Sequence, residues 1–188
     1  DTPPDSGMFS TDPAVNPFSS WTMVFLPYCT QDVHFGGGVT ATFPSITVQR
    51  FGGVNVRAAL RYVRDLLWQE MGAMDPEGYR PDRPRVLFAG ESAGGFGVNY
   101  NYHYLLDDLR WVHSSAAPDS GLATDNGQVF GVASLGLVVG PDTSPFGWGT
   151  RRLQPPYCLA GNCGVGPLLQ AASAPRLKAV PEQQFLNV

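Results

Sequence analysis

The sequence predicts an α/β fold with a mostly parallel sheet and flanking helices. Three observations carry that expectation. Residues 22–28 (TMVFLPY) and 86–89 (VLFA) are short, continuous apolar runs, the pattern of strands buried on both faces. Between them lies an amphipathic stretch with helical spacing, and a second helix-compatible run follows residue 94. A third extended segment, 111–117, comes next. Strand, helix, strand, helix, strand is the order produced by parallel strands joined through right-handed crossovers.

Each element has its own local reason. Residues 1–20 are rich in Pro, Ser and Asp without periodicity and read as surface loop. After the first strand, 32–45 (DVHFGGGVTATFPS) is a polar, aromatic and glycine-rich loop at that strand's C-terminal end. From 56 to 71 the positions Val56, Ala59, Leu60, Val63, Leu67 and Met71 recur at three- and four-residue intervals, with Arg57, Arg61, Arg64 and Asp65 between them. Asn55 is the expected N-cap of this helix. Prolines, a glycine and a cluster of charges in DPEGYRPDRP end it. Strand 86–89 leads into a helix from Gly94 to about Leu109, and strand 111–117 ends in PDSG. Glycine, proline and small residues dominate 121–176, so the second half is expected to be loops with one short helix near 168–172. Residues 184–188 read as one more buried strand. No internal repeat is visible.

Composition narrows the function classes. Gly 22 and Pro 17 with only 15% charged residues describe a loop-rich globular chain, expected as one domain over residues 1–188. The net charge of −4, without a Lys/Arg cluster, gives no electrostatic footprint for nucleic acid. No apolar run approaches the roughly 20 residues that span a membrane, and DTPPDSGMFSTDP has neither the basic nor the apolar part of a signal peptide. The three histidines are dispersed and Cys158 and Cys163 form only a C-x₄-C pair, so neither a metal site nor a cofactor is expected. That pair, in PPYCLAGNCG, could close as a short-range disulfide. Cys29 is then left as either a buried free thiol or half of a disulfide to a segment outside this chain.

The chemistry concentrates in GESAG, residues 90–94. It matches the G-x-S-x-G nucleophile elbow of α/β-hydrolases, in which a sharp strand-to-helix turn lifts the serine hydroxyl above the sheet. Five residues alone are weak in a glycine-rich chain, but RVLFA before them and a helix-compatible run after them supply the context the motif requires. Ser92 is therefore the expected nucleophile, flanked by Gly90, Glu91 and Gly94, and the Ala93 N–H the expected oxyanion donor. Among the histidines, His103 lies several turns along the following helix and His113 within a strand, and both read as structural. His34 sits in a loop that can reach the pocket, yet the order Ser, acid, His speaks against it as general base. HFGGG, 34–38, has some likeness to an HGGG oxyanion loop, though a flexible glycine loop is the preferred reading. Asp119 is an alternative triad acid, with a local turn role preferred. Trp21, Trp111 and Trp148 could include a substrate platform, while Trp68 at helical spacing reads as core or interface.

NPFSSWTMVFLPYCTQDVHFGG, FGGVNVRAALRYV, VLFAGESAGGFGVNYN and AAPDSGLATDN occur in the same order as in the Notum and pectin acetylesterase family of carboxylesterases, which the chain resembles from about Asn16 to Asn126. The resemblance implies an α/β-hydrolase-like fold, a secreted or extracytoplasmic location at the periplasm or cell surface, and removal of acyl groups, expected to be acetyl, from carbohydrate or glycan hydroxyls through an acyl-enzyme. It matches Ser92 to the nucleophile and Ala93 to its oxyanion donor. Tyr28, Cys29, Asp32 and His34 match the segment flanking the pocket, and Asp119 and Ser120 the turn after the next strand. It further implies an oxyanion loop and a partner for Cys29 before residue 1, an acid just past FLNV and a histidine later still. The 188 residues are thus expected to be the middle of a single hydrolase domain, lacking terminal segments and inert alone. The competing expectation is a non-catalytic member serving as a structural or carbohydrate-binding extracytoplasmic component.

Overall fold

The structure, a computed structural model, describes residues 6–71, 84–109, 113–119, 148–153 and 184–185. Within them the fold is mixed α/β. A hairpin, β1 (Val39–Thr42) and β2 (Thr47–Arg50), is followed by α1 (Gly52–Met71), β3 (Arg85–Glu91), α2 (Ala93–Asp108), β4 (His113–Asp119) and β5 (Gln184–Phe185). Strands β3, β4 and β5 form a parallel sheet in that order, with Glu91 opposite Asp119 and Arg85 opposite His113. The expected β3, α2, β4 and terminal strand are present. The short helix near 168–172 and the Cys158 and Cys163 pair lie outside the described residues.

Helix α2 is the centre of the packing. It lies against β3 and β4 on one side and α1 on another. Val98, Tyr102, Leu105 and Leu106 of α2 meet Val56 and Leu60 of α1 and Ala116 of β4 in one buried cluster, with Val86 and Phe88 of β3 packed against it. Burial on several sides explains why Asn99 and Asn101 are also interior, at 2% and 0% exposure. Across the α1–α2 contact, Arg57 and Arg61 lie over the Tyr104 ring at 4.6 and 5.8 Å, and Arg64 reaches Asp108 at 2.8 Å. Stacking of a guanidinium on an aromatic face lets the arginine stems bury while their charge stays partly solvated.

Three expectations are corrected. Residues 22–28 form no strand and are largely exposed, with Val24 at 50% and Phe25 at 40%. An apolar run becomes a buried strand only when neighbouring strands supply its ladder, and among the described residues none pairs with it. The loop reading of 32–45 missed β1 and the turn into β2. VTAT and TVQR alternate around Pro44–Ser45, with Phe43 and Ile46 exchanging backbone hydrogen bonds at 2.8 and 3.3 Å. Helix α1 also begins four residues earlier than its apolar period, so Asn55 lies inside the helix and is not its N-cap.

Candidate active site

Chain direction changes abruptly at Ser92. Strand β3 ends at Glu91 and α2 starts at Ala93, leaving Ser92 to make the turn alone at φ +52° and ψ −115°. A non-glycine residue there costs on the order of 1–3 kcal/mol and persists only where its surroundings fix it. Serine at a helix N-cap ordinarily bonds its hydroxyl to the first turn. Here it makes no capping bond, and the residue is exposed. The N–H groups of Ala93, Gly94 and Gly95 belong to the first turn of α2, where the helix itself offers them no acceptor, while the Phe96 N–H donates to the Ser92 carbonyl at 3.2 Å. Those first-turn donors face an anion or a developing oxyanion favourably.

The two glycines of GESAG differ. A Cβ on Gly90 would run into the backbone of Gly94, reaching its Cα at 3.0 Å and its carbonyl closer still, so the turn can close only with glycine at 90. A Cβ on Gly94 would meet nothing within 4 Å. Steric need for glycine therefore exists at Gly90 and not at Gly94. Glu91 is exposed at the end of β3, and Asp119 stands opposite it in backbone register. Ser120 lies outside the described residues.

The segment 28–35 forms the other half of the region. Asp32 is fully buried, accepting from the Thr30 hydroxyl at 2.6 Å and from the Gly52 N–H at 2.8 Å. Its carboxylate is thus committed to the N-terminus of α1 and does not line a pocket as a free acid. The Gly36 carbonyl accepts from the next two helix N–H groups, Gly53 at 3.1 Å and Val54 at 3.4 Å. The 34–38 stretch is accordingly not a flexible loop. Phe35, Gly36 and Gly37 are buried, and Gly37 and Gly38 donate to the carbonyls of Trp148 and Arg50. Trp148 is occupied by Arg50, whose guanidinium lies 5.2 Å from its ring, and Trp68, 43% exposed, sits on the outer face of α1 near Arg64. Trp21 packs edge-on to Phe18 at 5.1 Å. Trp111 lies outside the described residues.

His34 touches the elbow helix. Its main-chain carbonyl accepts from the Asn101 amide at 2.8 Å, and the same nitrogen bonds the Gly97 carbonyl at 2.8 Å. The imidazole lies 4.9 Å from the Tyr28 ring, whose hydroxyl accepts from the Val33 N–H at 3.0 Å. Burial holds the His34 pKa below its ordinary value, against a smaller upward pull from the Asp32 carboxylate. Burial likewise raises Tyr28, so both groups are neutral near pH 7. Cys29 is exposed and has no disulfide partner among the described residues, which removes the buried-thiol alternative.

The remaining histidines stand away from the turn. His103 is buried in α2, ten residues past Ala93 and so about 15 Å along the axis. His113 opens β4 opposite Arg85, about 20 Å of strand from Glu91. Gly97 and Asn101 were missed by sequence reasoning. Their only signal was the continuation of the glycine run into α2 and an asparagine inside a helix.

The pectinacetylesterase family model matches residues 2–139, a span that contains the whole Ser92 turn and the 28–35 segment. The chain is also 31% identical over 129 residues to the palmitoleoyl-protein carboxylesterase notum1 of Xenopus laevis, an alignment covering 65% of this chain and 24% of that relative. The chain spans about a quarter of the curated relative it matches. On a family match over more than half its length, the chain belongs to the pectinacetylesterase family.

Proposed function

We propose that the protein is a serine carboxylesterase that removes acyl, chiefly acetyl, groups from carbohydrate or glycan hydroxyls at or beyond the cell surface. The observation that carries this reading is Ser92 itself: a strained, exposed serine alone at a strand-to-helix turn, its hydroxyl unused for capping. The family match supports ester hydrolysis as the reaction class.

In the proposed cycle the Ser92 Oγ attacks the acyl carbon while a histidine base, which the family resemblance implies outside these 188 residues, takes its proton. The carbonyl oxygen becomes an oxyanion, and the Ala93 N–H donates to it from the start of α2. The C–O bond to the alcohol breaks, the histidine protonates the departing alkoxide, and Ser92 is left acylated. Water then attacks the acyl-serine with the same base, releasing the acid and restoring the hydroxyl. His103 and His113 are too distant for the base, and Asp32 is committed to α1.

The test is fluorophosphonate labelling of the full-length protein followed by peptide mapping. The expected result is a single adduct on Ser92, abolished with esterase activity in Ser92→Ala. Activity that survives the substitution rejects Ser92 as the nucleophile; an unlabelled Ser92 in a full-length protein without esterase activity rejects the assignment and leaves the non-catalytic reading.

A further inference from the structure

The backbone of residues 31–34 is more strained than its visible tasks require. Gln31, Val33 and His34 all adopt left-handed φ values, +48°, +47° and +58°. For a β-branched valine this is an outlier, and strain of this kind clusters where a structure must hold a side chain in one place. Capping α1 uses Asp32, which is not among the strained residues. What the left-handed run delivers is His34. It is pinned by Tyr28 below Val33, by the Arg50 guanidinium on the Gln31 carbonyl at 3.1 Å, and by Asn101 on its own carbonyl.

The destination is the elbow helix. A Cβ at Gly97 would lie 2.7 Å from the His34 Cβ, 3.1 Å from Cγ and 3.2 Å from Cδ2, so His34 occupies the space that a side chain at 97 would fill. Gly97 is one helical turn after Ala93 and on the same face, roughly 6 Å along the axis. Helical side chains lean toward the N-terminus, so the space over Gly97 lies above the turn that begins at Ser92. On its other side His34 meets the Tyr28 ring, which is 40% exposed and opens the pair to solvent.

Building on the assignment of Ser92 as nucleophile, we propose that His34 is a specificity-determining residue of the same site, one that exchanges a hydrogen bond with a free hydroxyl on the alcohol portion of the bound ester, with Tyr28 backing its ring. A neutral imidazole offers one donor and one acceptor, which suits an alcohol that carries further hydroxyls. The strained loop and Gly97 are the device that brings it there.

The experiment compares kcat/KM of the full-length protein on mono-O-acetylated glucose and on p-nitrophenyl acetate, with melting temperature recorded for each variant. His34→Gly and His34→Asn accept a left-handed backbone, and Gly97→Ala displaces His34 without altering it. Each is expected to lose about five- to tenfold more on acetylated glucose than on p-nitrophenyl acetate, the size of one neutral hydrogen bond. His34→Gly is expected to melt no lower than the parent. Equal losses on both substrates, a selectivity unchanged in all three variants, or a selectivity loss that appears only with a lowered melting temperature overturns the proposal. A parent protein that takes no fluorophosphonate at Ser92 removes the nucleophile assignment and this proposal together; a labelled parent with unchanged variant selectivity removes only this one.

Discussion

Gly90 and Gly94 frame one serine yet bear different burdens. Gly90→Ala would drive a methyl into the Gly94 backbone, and either the turn opens or the strand shifts. A loss of about 1–3 kcal/mol is expected, read as a lower denaturant midpoint, together with loss of Ser92 labelling. Gly94→Ala adds a methyl to open space in the first turn of α2. There, removing glycine's backbone entropy is expected to leave stability unchanged or raise it by up to about 1 kcal/mol. Tyr100 makes a different residue-scale prediction. Its ring stacks on Phe35 at 4.3 Å and burial pushes its pKa to about 12. A raised folded pKa contributes stability below pH 10 that is lost as pH climbs toward 12, about 2–3 kcal/mol in all. Tyr100→Phe is expected to keep the stack and remove that alkaline loss, measured by denaturation at pH 9 and pH 12.

At the scale of elements, α1 begins where it does because its first turn is capped from afar. Gly52 and Gly53 are poor helix formers, and residues 52–55 carry no apolar period pointing inward. The Asp32 carboxylate and the Gly36 carbonyl satisfy the N–H groups of Gly52, Gly53 and Val54, and a negative charge at a helix N-terminus is favourable in itself. Asp32→Ala is expected to cost about 2–3 kcal/mol in the denaturant midpoint, because a buried charge-assisted bond is lost and an N–H left unpaired. Asp32→Asn keeps an acceptor and is expected to cost less. The same substitution loosens the 31–34 loop, so Asp32→Ala is also expected to weaken the selectivity assigned to His34.

Across the molecule, α2 carries both the packing and the proposed chemistry: its first turn meets Ser92 and its length fills the space between the sheet and α1. Burial of His34 against it gives a further pH dependence. A histidine pKa depressed in the fold contributes stability above pH 6.5 that is lost as pH falls through its folded value, with Asp32 opposing and Tyr28 uncharged in that range. His34→Asn is expected to flatten the acid limb of the stability profile below pH 6.5. Much of this architecture was legible beforehand, because strand β3, the glycine–serine turn and helix α2 are local: apolar run, tight turn and helical spacing are each written within a few residues. The family likeness rested on the same local motifs. What tertiary structure alone decided is non-local. Residues 22–28 carry a strand's composition but form none among the described elements, since a ladder needs a neighbour that no local pattern can supply. The start of α1 depends on a carboxylate 20 residues earlier, and the placement of His34 on a space that only glycine at 97 leaves open. Sequence by itself singled out the residue proposed to attack, because the strand, turn and helix start that expose Ser92 are written within one local motif. Which residues stand beside it was decided by packing between segments far apart in the chain.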